Sequence, residues 1–148
     1  MKHALEYIET MHKLESFVKS APQYSTWDFG GICDWFCFYW NHGTLSWSID
    51  SSGAAHGVCA IKLFERLEQF LMPFVHVPSG RFVMIEVMSA DSPRAMGFIH
   101  DEFVDRWGPR DIVLWDRGAR TESGTPRMFK WREFEKLARR ITHGPVCT

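Results

Sequence analysis

The stretch Arg81 to Gly108, RFVMIEVMSADSPRAMGFIHDEFVDRWG, constrains the fold more than any other part of the chain. Its first half, Arg81 to Ser89, is apolar on both faces and rich in β-branched and sulfur-containing side chains, as a strand buried on both sides requires. One charge, Glu86, interrupts it. The second half opens with Ser92, a good N-cap, and Pro93, whose missing N–H costs nothing at the first helical position. Ala95, Met96, Ile99, Phe103 and Trp107 then recur at helical spacing, with Asp101, Glu102, Asp105 and Arg106 on the opposite side. Gly108-Pro109 ends the helix. The rest of the chain has to be arranged around a buried strand that runs straight into a capped helix.

Before this unit, Lys2 to Lys19 places Leu5, Ile8, Met11, Leu14 and Val18 on one stripe, an amphipathic helix that Ala21-Pro22 stops. Gln23 to Gly31 reads as a polar, aromatic loop. Three strand candidates follow: Asp34 to Trp40, Thr44 to Asp50 and Gly57 to Phe64. They are joined by Asn41-His42-Gly43 and by Ser51 to His56, both suited to tight turns, which predicts an antiparallel meander. Glu65 to Leu71 reads as a short helix or turn.

After it, Asp111 to Asp116 is a second buried strand, and the strand-helix-strand order predicts a parallel pair joined by a right-handed crossover. Arg117 to Pro126 is a polar loop, Arg127 to Trp131 an edge strand, and Arg132 to Ile141 a final amphipathic helix. The tail His143 to Thr148 has no pattern to argue from. The expected fold is a single α+β domain over residues 1–148: a mixed β-sheet, made of an antiparallel meander plus a strand-helix-strand unit, flanked by helices.

Composition narrows the partners. A length of 148 residues is enough for one buried core without staples. A net charge of -1 argues against nucleic acid or an anionic membrane as the main partner, since either needs a concentrated positive face. Seven Trp and twelve Phe exceed the needs of a minimal core, so some rings are expected in a pocket or a protein interface. The four Cys form no disulfide framework, and the four-residue spacing of Cys33 and Cys37 is not that of a zinc site, so no metal is expected. The N-terminal run MKHALEYIETMHK carries acids, unlike a signal peptide, and no apolar run approaches a membrane span. A cytoplasmic protein is the expectation.

The element order resembles the GNAT superfamily of acyltransferases. In that family an Arg/Gln-x-x-Gly-x-Gly/Ala motif, at the end of the long strand and the start of the helix, binds the pyrophosphate of an acyl-coenzyme A donor through backbone N–H groups. Arg94-Ala95-Met96-Gly97-Phe98-Ile99 occupies that place, with Arg94 and Gly97 on the motif and Ile99 where the family has a small residue. A narrower likeness is to the toxin-activating lysine acyltransferases, which use acyl carrier protein as donor. Ser79-Gly80-Arg81 leading into a strand that carries Glu86 is similar to that branch, and its catalytic Asp aligns with Glu86. Its Ser-Pro-Leu-His motif has no counterpart; the nearest segment is Ala21-Pro22-Gln23-Tyr24. The resemblance implies an acyl-CoA or acyl-carrier-protein donor held by Ser89, Ala90, Arg94 and Gly97, an amine acceptor, and Glu86 as the base.

Read from the residues alone, Glu86 is a base with a raised pKa, or it faces solvent or pairs with an Arg such as Arg81 or Arg117. His42 and His56 both fall in meander turns and are the histidine candidates for the base; solvation is the plainer account of each. Arg106, Arg110, Arg117, Arg120, Arg127, Lys130 and Arg132 form either a phosphate-receiving surface or an internally paired one. The competing reading is a catalytically degenerate structural or interaction protein, for example a component of a phage or other large assembly. That would make it a virion protein and a subunit of an oligomer or assembly.

Overall fold

The computed structural model describes residues 2–22, 29–72, 74–115 and 127–142. Among them are four α-helices and five strands: α1 (Lys2–Ser20), α2 (Phe29–His42), β1 (Leu45–Ile49), β2 (Ala55–Phe64), β3 (Phe82–Ala90), α3 (Pro93–Trp107), β4 (Ile112–Trp115), β5 (Arg127–Lys130) and α4 (Trp131–Thr142). A 3-10 turn, Leu67–Leu71, lies between β2 and β3. The strands form one mixed, open sheet in the order β1-β2-β3-β4-β5, with β3 and β4 parallel and the other neighbours antiparallel. The α+β class, the parallel crossover through α3, the edge strand and the last helix are all as the sequence indicates.

Helices cover both faces, and the alternation of side chains along the strands divides the core accordingly. On one face Cys59, Ile61, Val83, Ile85 and Val113 meet Ile99, Phe103 and Trp107 of α3 and Phe134 of α4. On the other, Val58, Ala60 and Val87 meet Met11, Leu14 and Val18 of α1 and Phe36 and Tyr39 of α2. A third cluster, Phe64, Phe82, Met84 and Leu114, continues that second face beneath Phe70 of the 3-10 turn. Among the described residues no helix is long and apolar enough to cross a membrane.

The segment Asp34 to Trp40 is a correction: it is part of α2 and not the first strand of the meander. The apolar stripe of α1 needs a cover, and a helix brings Phe36 and Tyr39 onto it together, three residues apart. The turn signal that suggested a hairpin is a helix C-cap. Gly43 takes a left-handed φ of 68°, its N–H donates to Trp40 O and the N–H of Thr44 donates to Tyr39 O, which satisfies two terminal carbonyls of α2. The meander nonetheless exists one strand later, as β1, β2 and β3.

The position of Glu86 is set by an irregularity in the sheet. The pairing of β2 with β3 slips between Ala60 and Ile61, which face Val87 and Ile85, so Glu86 is the extra residue of a β-bulge. The slip leaves Val87 on the α1/α2 face while Met88 returns to the α3/α4 face. The described parallel pairing with β4 runs from Phe82 with Ile112 to Ile85 with Trp115. The loop 116–126 and the tail 143–148 lie outside the described residues.

Candidate functional site

The α3 helix starts immediately beyond the carboxyl end of β3, and a cleft of about 490 Å³ opens there. That volume suits a small-molecule ligand, for which sites of roughly 300–1,000 Å³ are usual. Its floor is the first turn of α3, from Ser92 to Ala95, and its walls are Ser48 and Asp50 of the β1–β2 hairpin, His56 of β2 and the half-exposed ring of Phe98. Arg94, on the second helical residue, is exposed into it.

The helix N-terminus at this cleft has few N–H groups to offer. Pro93 has none, Ser92 Oγ accepts from the N–H of Ala95 at 3.1 Å, and Ser92 O accepts from the N–H of Met96 at 3.0 Å. An anion in the cleft would be met by the Arg94 side chain and the helix dipole more than by a cradle of amides. Ile99, where the motif has a small residue, does not touch this surface: it is fully buried and packs toward Gly57 of β2, where a Cβ would lie 3.1 Å from its Cγ1. Gly97 is buried too, yet a Cβ there would meet nothing within 4 Å.

His56 is held from both sides. Its Nδ1 lies 2.7 Å from Asp91 Oδ2 and its Nε2 2.7 Å from Asp50 Oδ2. These hydrogen bonds push the imidazole pKa above its ordinary value, Asp50 first and Asp91 second. Asp50 in turn accepts from Ser52 Oγ, from the N–H of Ser52 and from the N–H of Ala54, so its carboxyl stays far below the usual carboxylate range. His42 is elsewhere: it ends α2, stacks on His76 with ring centres 4.5 Å apart and contacts Phe38. The antiparallel register, Leu45 opposite Ala60 and Ile49 opposite Ala55, puts the two histidines at opposite ends of β1.

Arg81 pairs with Asp111, and Glu86 has Lys62 as an ion-pair partner. Its Oε1 lies 3.5 Å from Lys62 Nζ, and the two side chains are only 12% and 4% exposed. Lys62, near the carboxyl end of β2, also donates to the carbonyls of Gln69, Phe70 and Met72 at 3.3, 2.7 and 2.8 Å. Burial pulls the ammonium pKa down and Glu86 pulls it back up. The buried Tyr39 hydroxyl is raised by burial and by the Glu86 charge.

Of the sequence candidates, His56 and Arg94 share the cleft, Ser89 and Ala90 form the end of β3 beside it, and Gly97 lies one helical turn further on. Glu86 sits before them on the α1/α2 face, and His42 is not brought to the cleft. Asp50, Asp91 and Lys62 were missed. The usable signal for Lys62 was its isolation: it is the one Lys, Arg, Asp or Glu in its strand as Glu86 is in the next. Of the basic run, Arg106 donates to Leu45 O and Gly43 O, and Arg110 to Trp107 O and Pro78 O, so both fasten loops. Arg117 and Arg120 lie outside the described residues. Cys59 is fully buried and its thiol pKa raised by burial, which removes it as a nucleophile. Comparison with protein-family models and with curated proteins finds no match for this chain.

Proposed function

We propose that the chain is a GNAT-type acyltransferase that moves an acyl group from an acyl-CoA or acyl-carrier-protein donor to an amine. The observation that carries the reading is the strand-to-helix junction. Beyond the bulge at Glu86, β3 runs on to the cleft where Arg94 and the α3 N-terminus face an open volume. Bulges re-aim side chains and interrupt pairing beside active sites. In this reading Arg94 takes a donor phosphate, Ser89, Ala90 and Gly97 border the donor, and Glu86 is the base. The acceptor nitrogen attacks the thioester carbonyl, its proton passes to the Glu86 carboxylate, and the thiolate leaves. His56, bonded to two carboxylates, is in this reading a structural cation and not the base.

The test is ligand-dependent stability. Acetyl-CoA, a longer acyl-CoA or acyl carrier protein at 100 times its Kd stabilises a native protein by about 2.7 kcal/mol, a clear rise in Tm. Arg94→Ala should abolish the rise while leaving the unliganded Tm in place, because the side chain is exposed. No shift with any donor at millimolar concentration rejects the reading.

A second reading, a degenerate GNAT-like interaction protein of a phage or other assembly, has its own support. Pro93 and the Ser92 cap leave little for a phosphate to bind, Lys62 occupies Glu86, and Leu5 and Ile8 of α1 are 58% and 60% exposed. It predicts self-association or capture of a partner through an apolar surface; monodisperse monomer with no partner in pull-downs counts against it.

A further inference from the structure

Asp50, His56 and Asp91 belong to separate parts of the fold. Asp50 closes β1 and organises the hairpin turn, His56 is the second residue of β2, and Asp91 follows β3 just before the Ser92 cap of α3. Their side chains are 42%, 37% and 44% exposed, so water and protons reach them. A neutral imidazole has one N–H and one lone pair, and only imidazolium donates from both nitrogens. Two carboxylate oxygens at 2.7 Å, one on each nitrogen, are both hydrogen-bonded only when the ring carries two protons. Asp50 is fixed as an acceptor by its bonds from Ser52 and Ala54, so the extra proton resides on the ring side of that contact.

We propose that His56 is a proton-operated clamp: doubly protonated, it ties the β1–β2 turn at Asp50 to the β3–α3 junction at Asp91, and on losing a proton it must release one of them. Both tied segments wall the Arg94 cleft. Release frees that wall and makes the cleft one unit more negative, so an anion bound there is held more weakly as pH rises. Other charges around the clamp are Arg94 on the first turn of α3 and Lys13 of α1, whose Nζ lies beside Gly53 of the turn. Both are cationic and oppose protonation of the ring, whereas the aspartates, in direct contact, favour it and prevail. The clamp does not depend on an acyl donor being the ligand.

Nitrogen-detected NMR of the full chain tests it. The His56 ring should read as doubly protonated at pH 6, with a midpoint above the ordinary value near 6.5. The backbone amides of Ser52 to Ala54 and of Asp91 to Ala95 should move with that same midpoint. Asp50→Asn and Asp91→Asn should each lower the midpoint, and His56→Gln should remove the amide transition while the chain stays folded. A neutral ring at pH 6 overturns the proposal, as does a ring that titrates while the amides of either segment stay still.

Discussion

Strand β2 carries an ionic group near each end, and the two do opposite work. Lys62 lies at the buried end, where its ammonium joins Glu86, the 3-10 turn and the centre of the sheet with almost no exposure. His56 lies at the exposed end, joining a turn and a helix start in contact with water. In the interior, desolvation makes the charge costly alone, so the pair has to be kept intact or replaced as a whole. At the rim, solvent screens the pair and it adds little to stability, but protons exchange freely and the group responds to pH. One strand therefore holds a fixed ion pair and a titratable one, and burial alone separates the roles.

The largest effect is expected at the buried end. Lys62→Met leaves the Glu86 carboxylate without its ammonium and removes a donor from the carbonyls of Phe70 and Met72, and should cost about 3–5 kcal/mol in urea unfolding. Pairing it with Glu86→Leu should restore most of that loss. A single variant within about 1 kcal/mol of the parent would mean that water reaches Glu86 in solution, erasing the contrast. Glu86→Gln carries the functional half: if Glu86 is the base, acyl transfer falls by about 100-fold or more while donor binding stays.

Changes at the rim should be smaller and separable from the core. Ser92→Ala removes the cap of α3 and should cost about 1 kcal/mol. Gly97→Ala should instead gain roughly 0.5–1 kcal/mol, since a Cβ there meets nothing and helix-interior glycine is unfavourable. Should Gly97 serve the close approach of a donor, the same variant will be more stable yet lose the donor-induced rise in Tm; an unchanged rise rules that role out.

The smallest effect, and the one with a sign, concerns pH. The folded-state pKa of His56 is raised, so its contribution is fully present below the unfolded value of 6.5 and is lost as pH rises through the folded value. That of Asp50 is lowered, so its contribution is present above 3.8 and is lost as pH falls toward the folded value. The Tm difference between the parent chain and His56→Gln should therefore be widest from about pH 4 to 6.5 and close at alkaline pH. A difference that widens with rising pH would contradict the clamp.

Much of the fold is legible in the residues because its signals are local. The Ser92 cap, Pro93 and the spacing of Ala95, Ile99, Phe103 and Trp107 specify α3 without reference to anything else. The buried run of β3 and the short DIVLWD strand announce a parallel pair for the same reason. Helix α2 was not legible: Ile32 to Trp40 is apolar except for Asp34, so its period is hidden, and Gly43 serves a helix end as readily as a hairpin. The candidate site divides the same way. Arg94 is placed at the cleft by its position in α3 alone, whereas the partners of His56 and Glu86 come from segments 6 to 35 residues away.

The Arg81 to Gly108 unit, the α+β class and the absence of a strong net charge were thus determined by the sequence itself, through periodicity, capping and composition. Strand register is different in kind. A one-residue slip turns every side chain to the other face, and only the packed sheet fixes it. That slip, at Glu86, set the carboxylate toward Lys62, and the hairpin register parted His42 from His56. Tertiary structure alone decided which charges are buried with a partner and which stand at the rim to exchange a proton.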